Sequence, residues 1–325
     1  MTEPIAFVWM VNTPDRLVGL HATLFFINQS KYRDQIHVWV AASSPELQDQ
    51  IVKIIKSPQY SPLQVYVFNV NDTSWHGYKK KLATVIGRYT YFIKCDDDLF
   101  YSHHVLDYFI ENRSKLDDPN TVWMFPTASI NSLTTDTFIE DFIKDGEVKA
   151  QIYTDFGQFN YAEYPSHNGT DDLEPLRQFF YNMRGVWNPT ALRDYMWHAK
   201  YFNGGEHPIR HSNPAIVKLN TYIIDHIERV FEETNFHVEP IRGFYQAQFY
   251  MMKSKVWFEI QQLVANQQIP RGLIDETEIN WFVKYGNKTA LLVRNAFVIH
   301  PALQGVNLNY YHNMIYQKIH AYIGA

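Results

Sequence analysis

The sequence predicts an α/β fold: a mostly parallel central sheet flanked by helices, with an added, mainly helical region. Three observations predict it. Short apolar runs at Ile5 to Val11, His37 to Ala41, Leu63 to Val70 and Tyr89 to Lys94 read as buried strands. Segments of helical periodicity lie between them, so strands and helices alternate. Polar residues suited to turns or binding, namely Asn12, Ser43, Asn71 and Asp96, directly follow the four runs.

Each element has a local cause. Asn12-Thr13-Pro14-Asp15 is turn chemistry with a proline suited to a first helical turn, and Leu17, Leu20, Leu24 and Ile27 mark the helix that follows. Ser43-Ser44-Pro45 caps a second helix carrying Leu47, Ile51, Ile54 and Ile55. A third helix spans Gly77 to Arg88, a fourth spans His103 to Asn112, and Thr121 to Pro126 is a further strand. Thr134 to Asp172 mixes turns, acids and aromatics without a clear period. Leu173 to Tyr201 is helical in places and broken at Pro189, and Asn203 to Pro208 reads as a loop. Pro214 to Glu233 is predicted as one amphipathic helix, with Ile216, Leu219, Ile223, Ile227 and Val230 on one side. Another helix follows Ile274, and Ala296 to Ile299 is a strand ending at His300.

A net charge of −5, from 29 basic and 34 acidic residues, argues against a general nucleic-acid binder. Lys79-Lys80-Lys81 is the only basic run. The single cysteine, Cys95, excludes an internal disulfide framework and a cysteine-based zinc site. No signal peptide or membrane-spanning stretch is read, so a cytoplasmic protein is expected, with peripheral membrane association through an acceptor lipid compatible. Aromatic residues make up 16% of the chain, which suits stacking on sugar C–H faces and a well-packed core equally. Without repeat or linker, the 325 residues read as one domain: a first half to about residue 130, an added region over about 135–235, and a C-terminal part over 236–325.

The most informative segment is Tyr91-Phe92-Ile93-Lys94-Cys95-Asp96-Asp97-Asp98-Leu99-Phe100. A buried strand that runs into three carboxylates needs compensation for their mutual repulsion. A hard divalent cation, Mg²⁺ or Mn²⁺, supplies it and leaves sites open for phosphate oxygens. Asp96 and Asp98, two apart, face one way if the chain stays extended, with Asp97 facing elsewhere. The plain alternative is a solvated acidic turn, which the flanking core residues on both sides disfavour.

This segment resembles the DxD region of nucleotide-sugar glycosyltransferases of the GT-A fold, in the form I-K-x-D-x-D-hydrophobic-F carried by many bacterial and viral members. The resemblance implies a Mn²⁺- or Mg²⁺-dependent transfer of a sugar, hexosyl or pentosyl, from a nucleoside-diphosphate donor to a hydroxyl of a glycan, glycoprotein or lipid-linked acceptor. It implies that Asp96 and Asp98 hold the ion, with Asp98 as direct metal ligand and Asp96 on the donor ribose or a metal-bound water. It makes residues 1–130 the nucleotide-binding half, with Val11, Asn12, Ser43, Lys80, Asp96 and Asp97 as donor contacts.

Two later segments fit that pattern. Asp275-Glu276-Thr277-Glu278-Ile279 opens a helix, where acids also stabilise the helix dipole. It resembles the Glu-Asp-hydrophobic motif that holds the base of inverting enzymes, with the two acids reversed. Glu276 then takes the base position and Asp275 competes for it. His300, at a strand end, resembles a C-terminal histidine that completes the metal or diphosphate site, with His312 as the alternative. Arg242 to Phe249, rich in amides and rings, suits either an acceptor platform or buried packing. A nucleotidyltransferase or phosphohydrolase using the same aspartates, and a non-catalytic carbohydrate-binding protein, are the competing expectations.

Overall fold

The computed structural model describes residues 3–11, 14–70, 75–131, 133–157, 209, 212–241, 245, 247–269, 275–301 and 308–323. Their elements are β1 (Ile5–Val11), α1 (Leu17–Gln29), β2 (Ile36–Ala42), α2 (Pro45–Ile55), β3 (Gln64–Asn69), α3 (Trp75–Ile86), β4 (Tyr91–Cys95), α4 (His103–Glu111), β5 (Thr121–Ala128), α5 (Thr135–Phe142) and α6 (Gly146–Gly157). They continue with α7 (Asn213–Asp225), α8 (Glu228–Glu232), β6 (His237–Ile241), β7 (Phe249–Lys253), α9 (Ser254–Ala265), α10 (Asp275–Tyr285), β8 (Thr289–Val298) and α11 (Leu308–Ile323).

The strands form one eight-stranded sheet in the order β3-β2-β1-β4-β7-β5-β8-β6. β1 to β4 pair in parallel, as does β5 with β8, whereas β7 and the edge strand β6 run antiparallel to their neighbours. The α/β class holds, and the predicted parallel half is β1 to β4. Side-chain alternation along β1 feeds two layers. Ile5, Phe7 and Trp9 pack with Leu20, Ile51 and Phe109 of α1, α2 and α4, while Ala6 and Val8 face Leu82, Ile260 and Ile279 of α3, α9 and α10. At α2 the Ser44 hydroxyl accepts the Leu47 N–H at 3.2 Å, with Pro45 in the first turn, as predicted.

A third core lies beside these layers. Phe138, Phe142, Ile216, Leu219, Ile315 and Ile319 pack there with Phe297 of β8 and Phe26 of α1. The expected single helix from Pro214 to Glu233 is two helices, because α7 ends at Asp225 and α8 restarts at Glu228. α5 and α6 occupy the stretch that carried no readable period, while the segments at 173–201 and 203–208 lie outside the described residues. β6, β7 and α9 are not announced by the sequence pattern. No helix among the described residues is long and apolar enough to cross a membrane.

Candidate active site

β1, β2, β3 and β4 run in parallel, so Val11, Ala42, Asn69 and Cys95 end on one edge of the sheet. Ser43 and Asp96 therefore emerge on that edge, where ligands of open α/β sheets bind. Asn12 and Asn71 lie outside the described residues, and of Val11 only the backbone is described.

The acidic triplet is clamped by backbone on both sides. The Asp96 N–H donates to the Gln248 carbonyl (2.9 Å), extending the β4–β7 ladder by one residue. Phe100 and Ile299 then exchange two backbone hydrogen bonds of 3.0 and 2.8 Å. Between these anchors the chain turns at Asp97 and Asp98 rather than staying extended, so the side chains of Asp96 and Asp98 meet different partners. Asp98 comes to His300, the residue after Ile299: the His300 Nε2 lies 3.5 Å from Asp98 Oδ2. Arg16, just before α1, places Nη1 3.4 Å from the same oxygen. Asp96 instead pairs with the buried Lys94, whose Nζ also donates to the Ala247 carbonyl at 2.7 Å.

The far side of the His300 ring is closely held. Nδ1 lies 2.9 Å from the Ile130 carbonyl and 2.9 Å from the Gln248 amide nitrogen, so it donates to the first in one tautomer and accepts from the second in the other. The Gln248 amide nitrogen donates to the same carbonyl at 3.1 Å, and Asn131 donates to the Gln248 amide oxygen at 3.3 Å. The His300 backbone N–H donates to the Ser129 hydroxyl (2.9 Å). On its other side Nε2 faces a carboxylate oxygen, where either the ring's own proton or a cation joins the two.

Among the described residues Lys94 pairs with Asp96 and Arg16 with Asp98, and Arg16 also feels the charge of Asp97. Burial opposes the charge on Arg16, but Asp98, Asp97 and Tyr316 outweigh it and hold the guanidinium above its ordinary value. Burial pushes the Tyr316 hydroxyl up, against the pull of Arg16, and its ring packs edge-on to Phe100. Burial likewise pushes up the Cys95 thiol, which donates to the Asp96 carbonyl at 3.2 Å and serves as core.

α1 approaches this turn at a glycine. A Cβ at Gly19 would lie 2.7 Å from the Asp97 carbonyl oxygen and 3.4 Å from the Trp9 ring. Gly19→Ala is therefore expected to displace the triplet and destabilise the fold by about 1–3 kcal/mol. Chemical denaturation checks this, and unchanged stability would show that the turn yields freely.

The second acidic cluster is held by α10. Glu276 Oε2 accepts the Ala247 N–H at 3.1 Å. Asn280, one turn on, donates to the Glu276 carbonyl (2.6 Å) and the Tyr245 carbonyl (2.9 Å), and its oxygen accepts the Tyr245 N–H (3.2 Å). Tyr245 is wholly buried, stacked on Phe125 with 3.9 Å between ring centroids. The pair Ala247-Gln248 thus touches Glu276, Lys94 and His300 together, which ties the two acidic segments to one scaffold. Glu278 is fully buried and spent on Lys79 and Gln261. The side chains of Asp275 and His312 lie outside the described residues. Lys80 is exposed on α3, lining a groove against α9.

No protein-family model matches the sequence, and none of the curated proteins matches it. Solved structures do show likeness. A mannosyltransferase from Pyrobaculum calidifontis, in complex with GDP-Man and Mn²⁺, aligns over 38% of this chain and 35% of its own, with TM-score 0.31 and 15% identity. TarS from S. aureus, in complex with UDP-GlcNAc, aligns over 39% and 34%, with TM-score 0.29 and 13% identity. GalNAc-T7 with UDP, GalNAc and Mn²⁺ aligns over 99% of this chain and 50% of its own, with TM-score 0.46 and 14% identity. The chain thus spans half or less of the length of each of these structures.

Sequence reasoning named Asp98, His300, Asp96 and Glu276, and the structure places the first two side by side. It gave no role to Arg16, Lys94 or Asn280, and placed Gln248 only within a segment suited to an acceptor platform or to packing. Only Lys94 left a signal, as a charged residue inside an apolar run directly before the acids.

Proposed function

We propose that this chain is a metal-dependent glycosyltransferase of the GT-A type, moving a sugar from a nucleoside-diphosphate sugar to a hydroxyl of a glycan or related acceptor with inversion. The observation that carries the reading is the apposition of Asp98 Oδ2 and His300 Nε2, on the sheet edge where the four parallel strands end. The residue types suit a hard cation: a carboxylate oxygen and an imidazole nitrogen face each other in an acid-rich turn. Among the described residues no group of three or more His, Cys, Asp or Glu is placed to hold a metal ion.

Asp98 and His300 would hold Mn²⁺ or Mg²⁺, which would supply charge neutralisation for the departing diphosphate. Gln248, Ile130 and Ser129 keep the His300 ring in place. Lys94 orients Asp96 toward the donor ribose or a metal-held water. Ser43 and Asp97 contact the nucleoside on the same edge, and Val11 and Asn12 are the further donor contacts of this reading. Glu276, aimed by the Ala247 N–H, takes the proton of the attacking hydroxyl, with Asp275 as the competing base. Residues 135–235 form the acceptor side.

The test is thermal stability against a panel of nucleoside-diphosphate sugars with Mn²⁺, Mg²⁺ or EDTA. A ligand that binds only the folded chain raises the melting temperature by mass action. A metal-dependent rise with one donor is the expected result. No rise with any donor would remove the reading.

A further inference from the structure

A groove of about 990 Å³ lies on the α3, α9 and α10 face of the sheet. It is lined by rings of Phe258 and Tyr285, amides of Gln261, Gln267 and Gln268, and the cation of Lys80. We propose that it is a second binding site, for a neutral oligosaccharide, separate from the aspartate site.

The lining chemistry selects the ligand. Tyr285 is 61% exposed and Phe258 39%, and both border the groove, so two accessible rings meet there. Both are held in place: Tyr285 stacks on Trp281 at 4.7 Å and Phe258 meets Trp257 edge-on at 5.3 Å. Fixed, exposed rings match the C–H faces of sugars at little entropic cost. Primary amides both donate and accept, as sugar hydroxyls do. Gln267 sits at φ 57°, in the left-handed region, just past the end of α9. No carboxylate is among the described lining residues, which disfavours a basic peptide. The cations are two lysines on α3, and Lys79 is already paired with Glu278, which disfavours a polyanion. The volume lies at the upper end of ordinary ligand cavities, room for more than one sugar.

The location gives the site a use. α10 carries Glu276 at its start and Tyr285 at its end, nine residues or roughly 14 Å apart along the helix. A chain held at Tyr285 therefore lies several sugars away from the acids. The groove's ligand is argued from its own lining and does not rest on the transferase reading.

Native affinity electrophoresis tests it, with starch, β-glucan, xylan or galactomannan in the gel, EDTA present and no donor. At least one neutral polysaccharide is expected to retard the protein. Phe258→Ala with Tyr285→Ala is expected to weaken that binding about tenfold, from the loss of two ring contacts, while the donor-dependent thermal shift stays unchanged. Gln268→Ala, on an exposed side chain, is the milder variant and is expected to weaken binding a fewfold. Retardation by none of the four, retardation by heparin alone, or retardation untouched by all three substitutions would each overturn the site. Because metal and donor are absent, these outcomes are independent of the thermal-shift panel.

Discussion

Asp98→Asn is expected to abolish the metal-dependent rise in melting temperature while leaving a folded protein. At a hundredfold excess over the dissociation constant that rise reports about 2.7 kcal/mol of binding, all of which disappears if the cation is no longer held. The reason is local. Asp98 is the only carboxylate of the triplet placed within 3.5 Å of the His300 Nε2. Asparagine keeps the shape of the turn but offers a neutral oxygen. Arg16 keeps Asp97 and Tyr316 as neighbours, so the guanidinium is not abandoned in the interior. His300→Ala is expected to give the same loss from the other side. A full donor shift in either variant would sink the assignment of this pair as the cation's ligands.

Glu276→Gln is expected to leave the donor-dependent thermal shift intact and lower the rate of transfer by about 10²–10⁴-fold, the usual weight of a general base. The glutamine oxygen still accepts the Ala247 N–H, and Asn280 still anchors the first turns of α10, so the change removes a charge rather than a scaffold. Asp275→Asn run beside it decides between the two acids. If the aspartate variant alone loses turnover, the base is Asp275. If neither does, the inverting mechanism fails, although sugar transfer itself survives.

The parts of the fold that could be read from the sequence are those with a one-dimensional signature. β1 to β4 are continuous apolar runs followed by polar breaks, and Ser44 announces its own cap. β6 hides because it is an edge strand containing Pro240 and half-exposed side chains, which breaks the expected run. β7 is five residues long and follows a stretch of amides, so its neighbours mask it. The break at His226 and Ile227 has no proline or glycine to mark it.

The site divides in the same way. Three adjacent acids are conspicuous in any order of reading. The Lys94–Asp96 pair is local, but that Arg16 leans on Asp98 and that Gln248 steadies His300 are facts of the tertiary fold. They depend on which residues arrive beside one another, and a linear pattern carries no record of that. His300 was reached through resemblance, and only the Phe100–Ile299 bridge shows why it stands opposite Asp98.

That bridge also sets a timetable. It joins residue 100 to residue 299, so a chain emerging in order carries its acidic turn long before the partner strand exists. Contacts so distant in sequence form slowly and close late. Until then Asp98 lacks His300 beside it, and the local arrangement of the acidic turn is incomplete. If the proposed cation site is the right one, a partly made chain, however well its first strands have paired, holds only half of it.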